Sequence, residues 1–245
     1  MNTFLGFVFA SLIIATISSR KGRGYYRNKS LEDWTIDCLN LFIQGTLIPL
    51  LQPIFISVIL ARFFPSFHAS LDIGPVASFL LNFVIVDYCY YWNHRLFHRK
   101  RFFPVHLVHH TAKQMDVLAT SRNTLWTSFF IVYLWANGIF IYLLKEPEGF
   151  ILAIATTAAL DCWRHSTFFT KKLQKFFSSR LNLITPIDHA WHHSNQLNSN
   201  YGANLNLFDK IHGTYQYHSD FPEKLGVKDG LTFFQKLINP FRYNK

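Results

Sequence analysis

Eight histidines in this chain of 245 residues stand at spacings that suit metal coordination. His94 and His98 enclose His-Arg-Leu-Phe-His. His106, His109 and His110 form His-Leu-Val-His-His, and His189, His192 and His193 form His-Ala-Trp-His-His. On a helix, residues three and four apart share a face, with Cβ atoms about 5–6 Å apart. Imidazole is the commonest side-chain metal ligand, and several on one face can close on one ion. With 12 histidines in 245 residues, roughly 0.03 His-x-x-His-His arrangements are expected by chance. Two copies and an HxxxH box outweigh the reading of isolated surface or core histidines.

Eight imidazoles exceed what one metal needs. Zinc takes four ligands, and catalytic zinc usually three from protein. The number suits two metals with positions left for oxygen or water. Histidine-rich sites with open positions are typical of oxygen-activating non-haem iron. No HExxH, the zinc hydrolase motif with its carboxylate base, occurs here. The residues therefore read as a di-iron oxygenase for an apolar, membrane-dissolved substrate. Two other readings compete. One is a zinc-dependent membrane hydrolase on the same histidines. The other is a metal transporter or store, which would place ligands at the bilayer midplane. No CxxCH, CxxC or GxGxxG stretch is present. The two electrons per turnover must then come from a separate donor, such as a ferredoxin or cytochrome with its reductase. Basic clusters at Arg99, Lys100 and Arg101 and at Lys171, Lys172 and Lys175 suit either an acidic donor or anionic lipid head groups.

The elements that must position these residues read as membrane helices. Half the chain is hydrophobic and 16% is charged, against about 25% in soluble domains. The net charge of +10 lies in short clusters between apolar runs, which the positive-inside rule explains better than nucleic acid does. Residues 3–19 form a first apolar helix, followed by Arg20, Lys21, Arg23, Arg27 and Lys29. A signal peptide would carry its charge first. The 24 uncharged residues between Asp37 and Arg62, with Pro49 and Pro53 as expected kinks, are long enough to span. A third run goes from Ile73 through Asp87 to His98. Asn123–Leu144 is a 22-residue uncharged run, and Gly149–Leu160, with 12 residues, reaches span length only by continuing through Asp161–Phe169.

The fold expected is all-α: a multi-pass membrane bundle of about four to five helices with a cytosolic helical cap. One domain is expected, with N-terminal membrane helices over 1–80, a histidine-box core over 81–218 and a cytosolic tail over 219–245. The basic clusters put every box, and His165, on the cytoplasmic side. That is the inner membrane of a bacterium, or the endoplasmic reticulum of a eukaryote.

His94-Arg-Leu-Phe-His98, His106-Leu-Val-His109-His110 and His189-Ala-Trp-His192-His193 together resemble the three boxes of the fatty acid hydroxylase and sterol desaturase superfamily. The flanks resemble it too: Asp87-x-x-x-Tyr91-Trp92-x-His94-Arg95 before the first box, and His193-Ser194, Asn200-Tyr201-Gly202 and Asp209-x-x-x-Gly213-Thr214 after the last. Met115-Asp116 is similar to bacterial members. The resemblance covers roughly 80–245. It implies a helical membrane fold with a cytosolic cap, a dinuclear iron centre, and O2-dependent hydroxylation or desaturation of lipids. Purified protein of this kind can carry zinc in place of iron. Members often have an extra histidine pair before the last box. Here Asp161-Cys-Trp-Arg-His165 stands there, and the resemblance makes His165 a ninth ligand. His212 stands where relatives usually have an aromatic residue, and reads as a packed or exposed side chain. His68 and His218 read as non-ligands.

Ligating imidazoles usually donate their other N–H to a carboxylate. Asp87, Asp161 and Asp188 are the expected acceptors. Simpler roles compete: Asp87 as a cap or partner of Arg95, Asp188 as an N-cap, and Asp209 as a partner of Lys210. Tyr88, Tyr91 and Trp92 are candidates to line a substrate tunnel. Cys38, Cys89 and Cys162 are scattered in apolar segments and read as reduced packing residues.

Overall fold

Serine caps set the first helices. The Ser19 hydroxyl accepts from Gly22 N–H and starts α2 (Arg20–Asn28), and the Ser30 hydroxyl accepts from Asp33 N–H and starts α3 (Leu31–Phe42). Before them, α1 (Asn2–Ser18) is uniformly apolar. The computed structural model describes residues 2–194 and 198–242. A 94° bend separates Thr3–Ser18 from Gly22–Asn28. The basic α2 therefore cannot continue the direction of α1.

From α3 the chain runs through a π turn, Ile43–Leu47, into α4 (Ile48–Phe63). A proline ring clashes with the carbonyl four residues back. The widened turn falls directly before Pro49, and Pro53 lies within the helix that follows. Together they form one helix of 33 residues, Leu31–Phe63. At 1.5 Å per residue it is about 50 Å long, against about 30 Å of bilayer hydrocarbon. Only 11% of its apolar window is buried, so its hydropathy does not serve a protein core. Among the described residues it is the one helix long and apolar enough to cross a membrane, or one of two if α1 and α2 count as a single bent span.

Beyond these, none of the expected four to five spans is matched among the described residues by a helix long and apolar enough to cross, and the other apolar runs are short or broken. In the 22-residue uncharged run only α8 (Val132–Leu143) is helical in α form, 12 residues long. Its first part is loop and 3-10 turn, where polar side chains are engaged with other elements and with one another: Ser128 donates to Gln44 Oε1 and Thr124 bonds Thr127. Thr127 donates to the Val105 carbonyl at 3.0 Å, and Asn93 accepts from Val132 N–H at 3.1 Å. After Pro147, α9 (Glu148–Arg164) holds 17 residues and stops at His165, short of Phe169. Between these, α5 (Gly74–Leu80) passes through a second π turn, Leu81–Val86, into α6 (Asp87–Phe97).

The remaining helices are short: α7 (Phe103–Leu107), α10 (Lys171–Lys175), α11 (Pro186–His192), α12 (Leu207–Ile211) and α13 (Phe233–Ile238). No strand occurs among the described residues, only isolated bridges at Leu71–Leu144 and Leu183–Leu205. All three cysteines are free. Cys162 packs in a core with Leu12 and Val117, whereas Cys38 and Cys89 are exposed.

Helix α4 packs on α8, and α9 packs on both α1 and α5. A glycine makes the α5–α9 approach possible. A Cβ at Gly149 would lie 1.9 Å from the Pro75 carbonyl oxygen, backbone that cannot swing away. Gly149→Ala is expected to destabilise the protein by about 1–3 kcal/mol, the usual cost of overpacking. Gly6→Ala, which meets nothing within 4 Å, should cost nothing. Thermal unfolding of both variants checks this, and an unchanged midpoint for Gly149→Ala would contradict the packing.

Candidate metal centre

Five elements deliver the imidazoles. Helix α6 carries His94 and ends with His98 as its C-cap. Helix α7 carries His106, and the 3-10 turn His109–Thr111 carries the rest of the second box. His165 caps the end of α9. The third box sits on α11. Thr185 starts that helix in a capping box, its hydroxyl bonding Asp188 N–H while the Asp188 carboxylate takes Thr185 N–H.

All nine candidate histidines come together, in two groups. His94, His98, His106, His110 and His192 form one; His109, His165, His189 and His193 form the other. Within each group the ligand atoms lie within 4.8 Å of one another. Neither HxxHH box belongs to a single group. The outer histidines, four residues apart, stay together: His106 with His110, and His189 with His193. The middle one crosses over, His109 to the second group and His192 to the first. On a helix the i+4 position is rotated about 40° from i, whereas i+3 is rotated about 60° the other way. One box can thus face two centres side by side.

Backbone carbonyls fix which ring nitrogen points inward. His94 Nδ1 lies 2.7 Å from the Tyr201 oxygen, His192 Nδ1 2.8 Å from Ser199, His109 Nδ1 3.1 Å from Arg122 and His165 Nδ1 2.9 Å from Asp161. A carbonyl only accepts, so each Nδ1 carries the hydrogen. In a neutral ring the Nε2 atom is then a bare lone pair. These Nε2 atoms converge. His94 meets His192 at 3.0 Å and His106 at 2.9 Å. In the other group the distances are 3.4 Å for His165–His109, and 3.1 Å for His189–His165, His193–His109 and His193–His189. Between His94 and His192 neither nitrogen has a hydrogen to give. Two lone pairs at 3.0 Å repel unless a cation lies between them. Both ring nitrogens of buried His110 also lack a partner among the described residues.

A proton is a poor candidate for that cation. Burial first, and neighbouring imidazoles second, hold His106, His110, His189 and His193 well below the usual histidine range. Burial holds His109 at about 3 and His192 at about 4. The rings stay neutral, the state in which imidazole binds metal. The site as built fits a pair of metal ions.

The carboxylates divide. Asp161 meets a histidine: its Oδ1 is 3.4 Å from His165 Nδ1 and 2.9 Å from Arg164. Asp87 and Asp188 correct the expectation, because their bonds run elsewhere. Asp87 accepts from Tyr133 at 2.6 Å and from Asn204 and Leu205 N–H at 3.0 and 3.2 Å. It ties α6 to the loop that supplies the Tyr201 carbonyl, and Arg95 bonds the Tyr91 hydroxyl instead of Asp87. Asp188 is the third residue of α11, not its N-cap. It also takes Gln174 at 3.0 Å. Asp209 accepts from Tyr201 and Gly202 N–H at 2.8 and 2.7 Å, leaving Lys210 to Ser178 and Asn182.

His212 lies outside both groups. It accepts or donates at 3.1 Å with the Tyr88 hydroxyl and packs against Tyr91 and Trp92. Those three aromatics pack around His212. His218 stacks on Trp191 and His68 packs against Tyr142.

A buried ion network beside the second group had no sequence signal. Lys29 pairs with Asp116 and, at 2.5 Å, with Asp37. Arg122 pairs with Asp37 at 2.5 Å and Asp33 at 2.8 Å. The Arg122 carbonyl is the one that orients His109. The orienting carbonyls themselves belong to every residue type, so the sequence could not mark them.

Protonation supplies a test of burial. Unfolded histidine titrates near 6.5, and these folded groups titrate lower, to about 3 for His109. Their contribution to the stability of the metal-free protein is intact above 6.5 and is lost as pH falls toward 3. The unfolding midpoint of metal-stripped protein should drop across that window. A midpoint flat from pH 7 to 4 would show that the rings are not buried.

Residues 79–214 match the family profile described as fatty acid hydroxylase. The ornithine lipid hydroxylase OlsE of Rhizobium tropici is 32% identical over 192 residues, covering 72% of this chain and 55% of that protein. The alkylglycerol monooxygenase of Xenopus tropicalis is 27% identical over 167 residues, 66% of this chain and 34% of the relative. Its human counterpart is 24% identical over 145 residues, 56% of this chain and 30% of the relative. The chain thus spans between about a third and about half the length of these relatives. No solved structure matches it. The profile covers more than half of the chain, boxes included, and the chain belongs to the fatty acid hydroxylase family.

Proposed function

We propose that this chain is an O2-dependent di-iron monooxygenase that hydroxylates a C–H bond of a membrane lipid. The observation that carries the reading is the pair of imidazole groups, five and four, buried except for half-buried His98, in which the bare Nε2 atoms of His94 and His192 face each other. With metal–nitrogen bonds of about 2.1 Å, ligands at right angles stand about 3.0 Å apart and tetrahedral ones about 3.4 Å. Five of the six Nε2 separations are 2.9–3.1 Å. That spacing favours a higher coordination number than zinc normally takes. No carboxylate joins either group among the described residues, so a hydrolase would lack its usual base. The names of two relatives, a lipid hydroxylase and an alkylglycerol monooxygenase, favour hydroxylation over desaturation and an acyl- or alkyl-chain lipid as substrate.

When bound, the irons supply the oxidising power that an unactivated C–H bond demands. The chain's own part is positional. Tyr201, Ser199, Arg122 and Asp161 carbonyls hold His94, His192, His109 and His165 in the tautomer that presents Nε2. Asp161 and Arg164 steady His165 from behind. The segment around Gly226 covers the cluster: Gly226 N–H donates to the His193 carbonyl and Val227 N–H to that of His110. It keeps bulk water from the ligands.

The site lies below a multi-pass bundle of four to five crossings, the shorter apolar helices completing what Leu31–Phe63 begins. Arg99, Lys100 and Arg101 are exposed on that side. There they receive a ferredoxin- or cytochrome-type donor.

Two measurements test this. Anaerobically purified protein should hold two irons per chain and take up O2 with reductant and lipid. His109→Ala and His192→Ala should each lower metal affinity by more than the about 10–100-fold seen on losing an outer partner, and stop oxidation. His68→Ala, His218→Ala and His212→Phe should keep metal and activity. Retention of both by His109→Ala and His192→Ala would end the di-iron reading. For topology, a cysteine at exposed Ser70 in a cysteine-free background should react with an impermeant thiol reagent in intact cells. One at exposed Ser179 should react only after permeabilisation. The reverse pattern would invert the proposed orientation.

A further inference from the structure

A groove remains that the histidine centre does not use. Phe9, Ile13 and Ile17 of α1, Arg23 and Tyr26 of α2, Trp34 of α3 and Leu118 enclose about 580 Å³. That size falls within the range of about 300–1,000 Å³ typical of small-molecule sites. Its inner wall is closed: Phe9 and Ile13 pack on the core of Leu12, Val117 and Cys162. Its lining is apolar except at the end where α1 turns into α2.

That end is cationic and unpaired. Arg23 is exposed, and its Nη1 donates to the Ile17 and Ser18 carbonyls at 3.0 and 2.9 Å. Arg20, Arg23 and Arg27 make no ion pair among the described residues, in contrast to buried Lys29, held by Asp37 and Asp116. The bond to the end of α1 fixes the Arg23 guanidinium beside the groove. Aromatic rings mark the same level. Tyr26 and Trp34 lie 5.6 Å apart by ring centroids, and such rings gather where hydrocarbon meets head groups. Beyond them Phe7 and Ile14 of α1 are 72% and 64% exposed, as lipid-facing residues are. An apolar trough that opens on an unpaired guanidinium at the interface is complementary to one kind of molecule.

We propose that the groove binds a single membrane lipid, one acyl chain along α1 and an anionic head group on Arg23. A lipid awaiting oxidation and a resident acidic phospholipid share that chemistry. Binding is independent of turnover, so it stands or falls apart from the hydroxylase reading.

The test uses the full-length protein in nanodiscs containing phosphatidylglycerol or phosphatidylcholine with brominated acyl chains. The signal of Trp34 is the difference between wild type and Trp34→Phe. Brominated phosphatidylglycerol should quench Trp34 at lower mole fraction than phosphatidylcholine does. Arg23→Gln should reduce that preference about five-fold, the worth of one cation at an anionic surface, and Arg23→Lys should retain it. Ile17→Phe, which narrows the groove from its exposed side, should weaken quenching by both lipids. Equal quenching by the two lipids, or a preference untouched by Arg23→Gln, overturns the proposal. So does shielding of Trp34 from both lipids in a dimer that Ile17→Phe dissociates, because the occupant is then a second copy. Mass measurement of the lipid retained through purification separates the sources. An oxygen gained in wild type but not in His109→Ala marks a substrate; an unaltered lipid in both marks a resident.

Discussion

Nine imidazoles within reach of one another, eight of them buried, are first an electrostatic problem. Burial and neighbouring imidazoles oppose protonation of His94, His106, His109, His110, His189, His192 and His193, so those rings are neutral. Each neutral ring offers one donor and one acceptor nitrogen. Where the donor is committed outward to a carbonyl, the acceptor is left facing its own kind. His94 and His192 do this at 3.0 Å. The rest of the structure follows from maintaining that arrangement. The last turn of α9 lends the Asp161 carbonyl, the turn after the second box that of Arg122, and the segment after the third box those of Ser199 and Tyr201.

The support for the second group is ionic, not apolar. Lys29, Asp33, Asp37, Asp116 and Arg122 join α2, the start of the long helix and the segment after the second box. Breaking a buried pair typically costs about 3–5 kcal/mol, because it strands a charge. The network therefore couples the position of the apolar N-terminal helices to the orientation of His109. An ionic clamp of this kind is stiffer than a sliding apolar contact.

How far the sequence revealed this varies with the kind of information. Histidine spacing marked eight of the nine residues that gather, since side-chain type and helical period are both local, and the family resemblance supplied His165. It did not reveal the partition between groups, which depends on where separate elements meet. Charge-free length was a weaker guide. The run from Asn123 to Leu144 has no charged side chain, but Thr124, Thr127 and Ser128 divert its first part from the helix. Carboxylates near the boxes were read as partners of imidazole. Asp87 and Asp188 instead fasten the backbone, a choice set by which N–H groups folding brings near.

The crossed middle histidines bind the fates of the two centres together. Ordering a segment costs conformational entropy, and whichever site fills first bears that cost. Each HxxHH box sends ligands to both groups. The first ion to arrive must therefore order two segments that the second then finds already in place. The second ion binds to a pre-arranged site, which is positive cooperativity without any change of shape. An intermediate with one ion would be short-lived in either direction. On the proposed two-metal reading, the two ions would therefore enter and leave together.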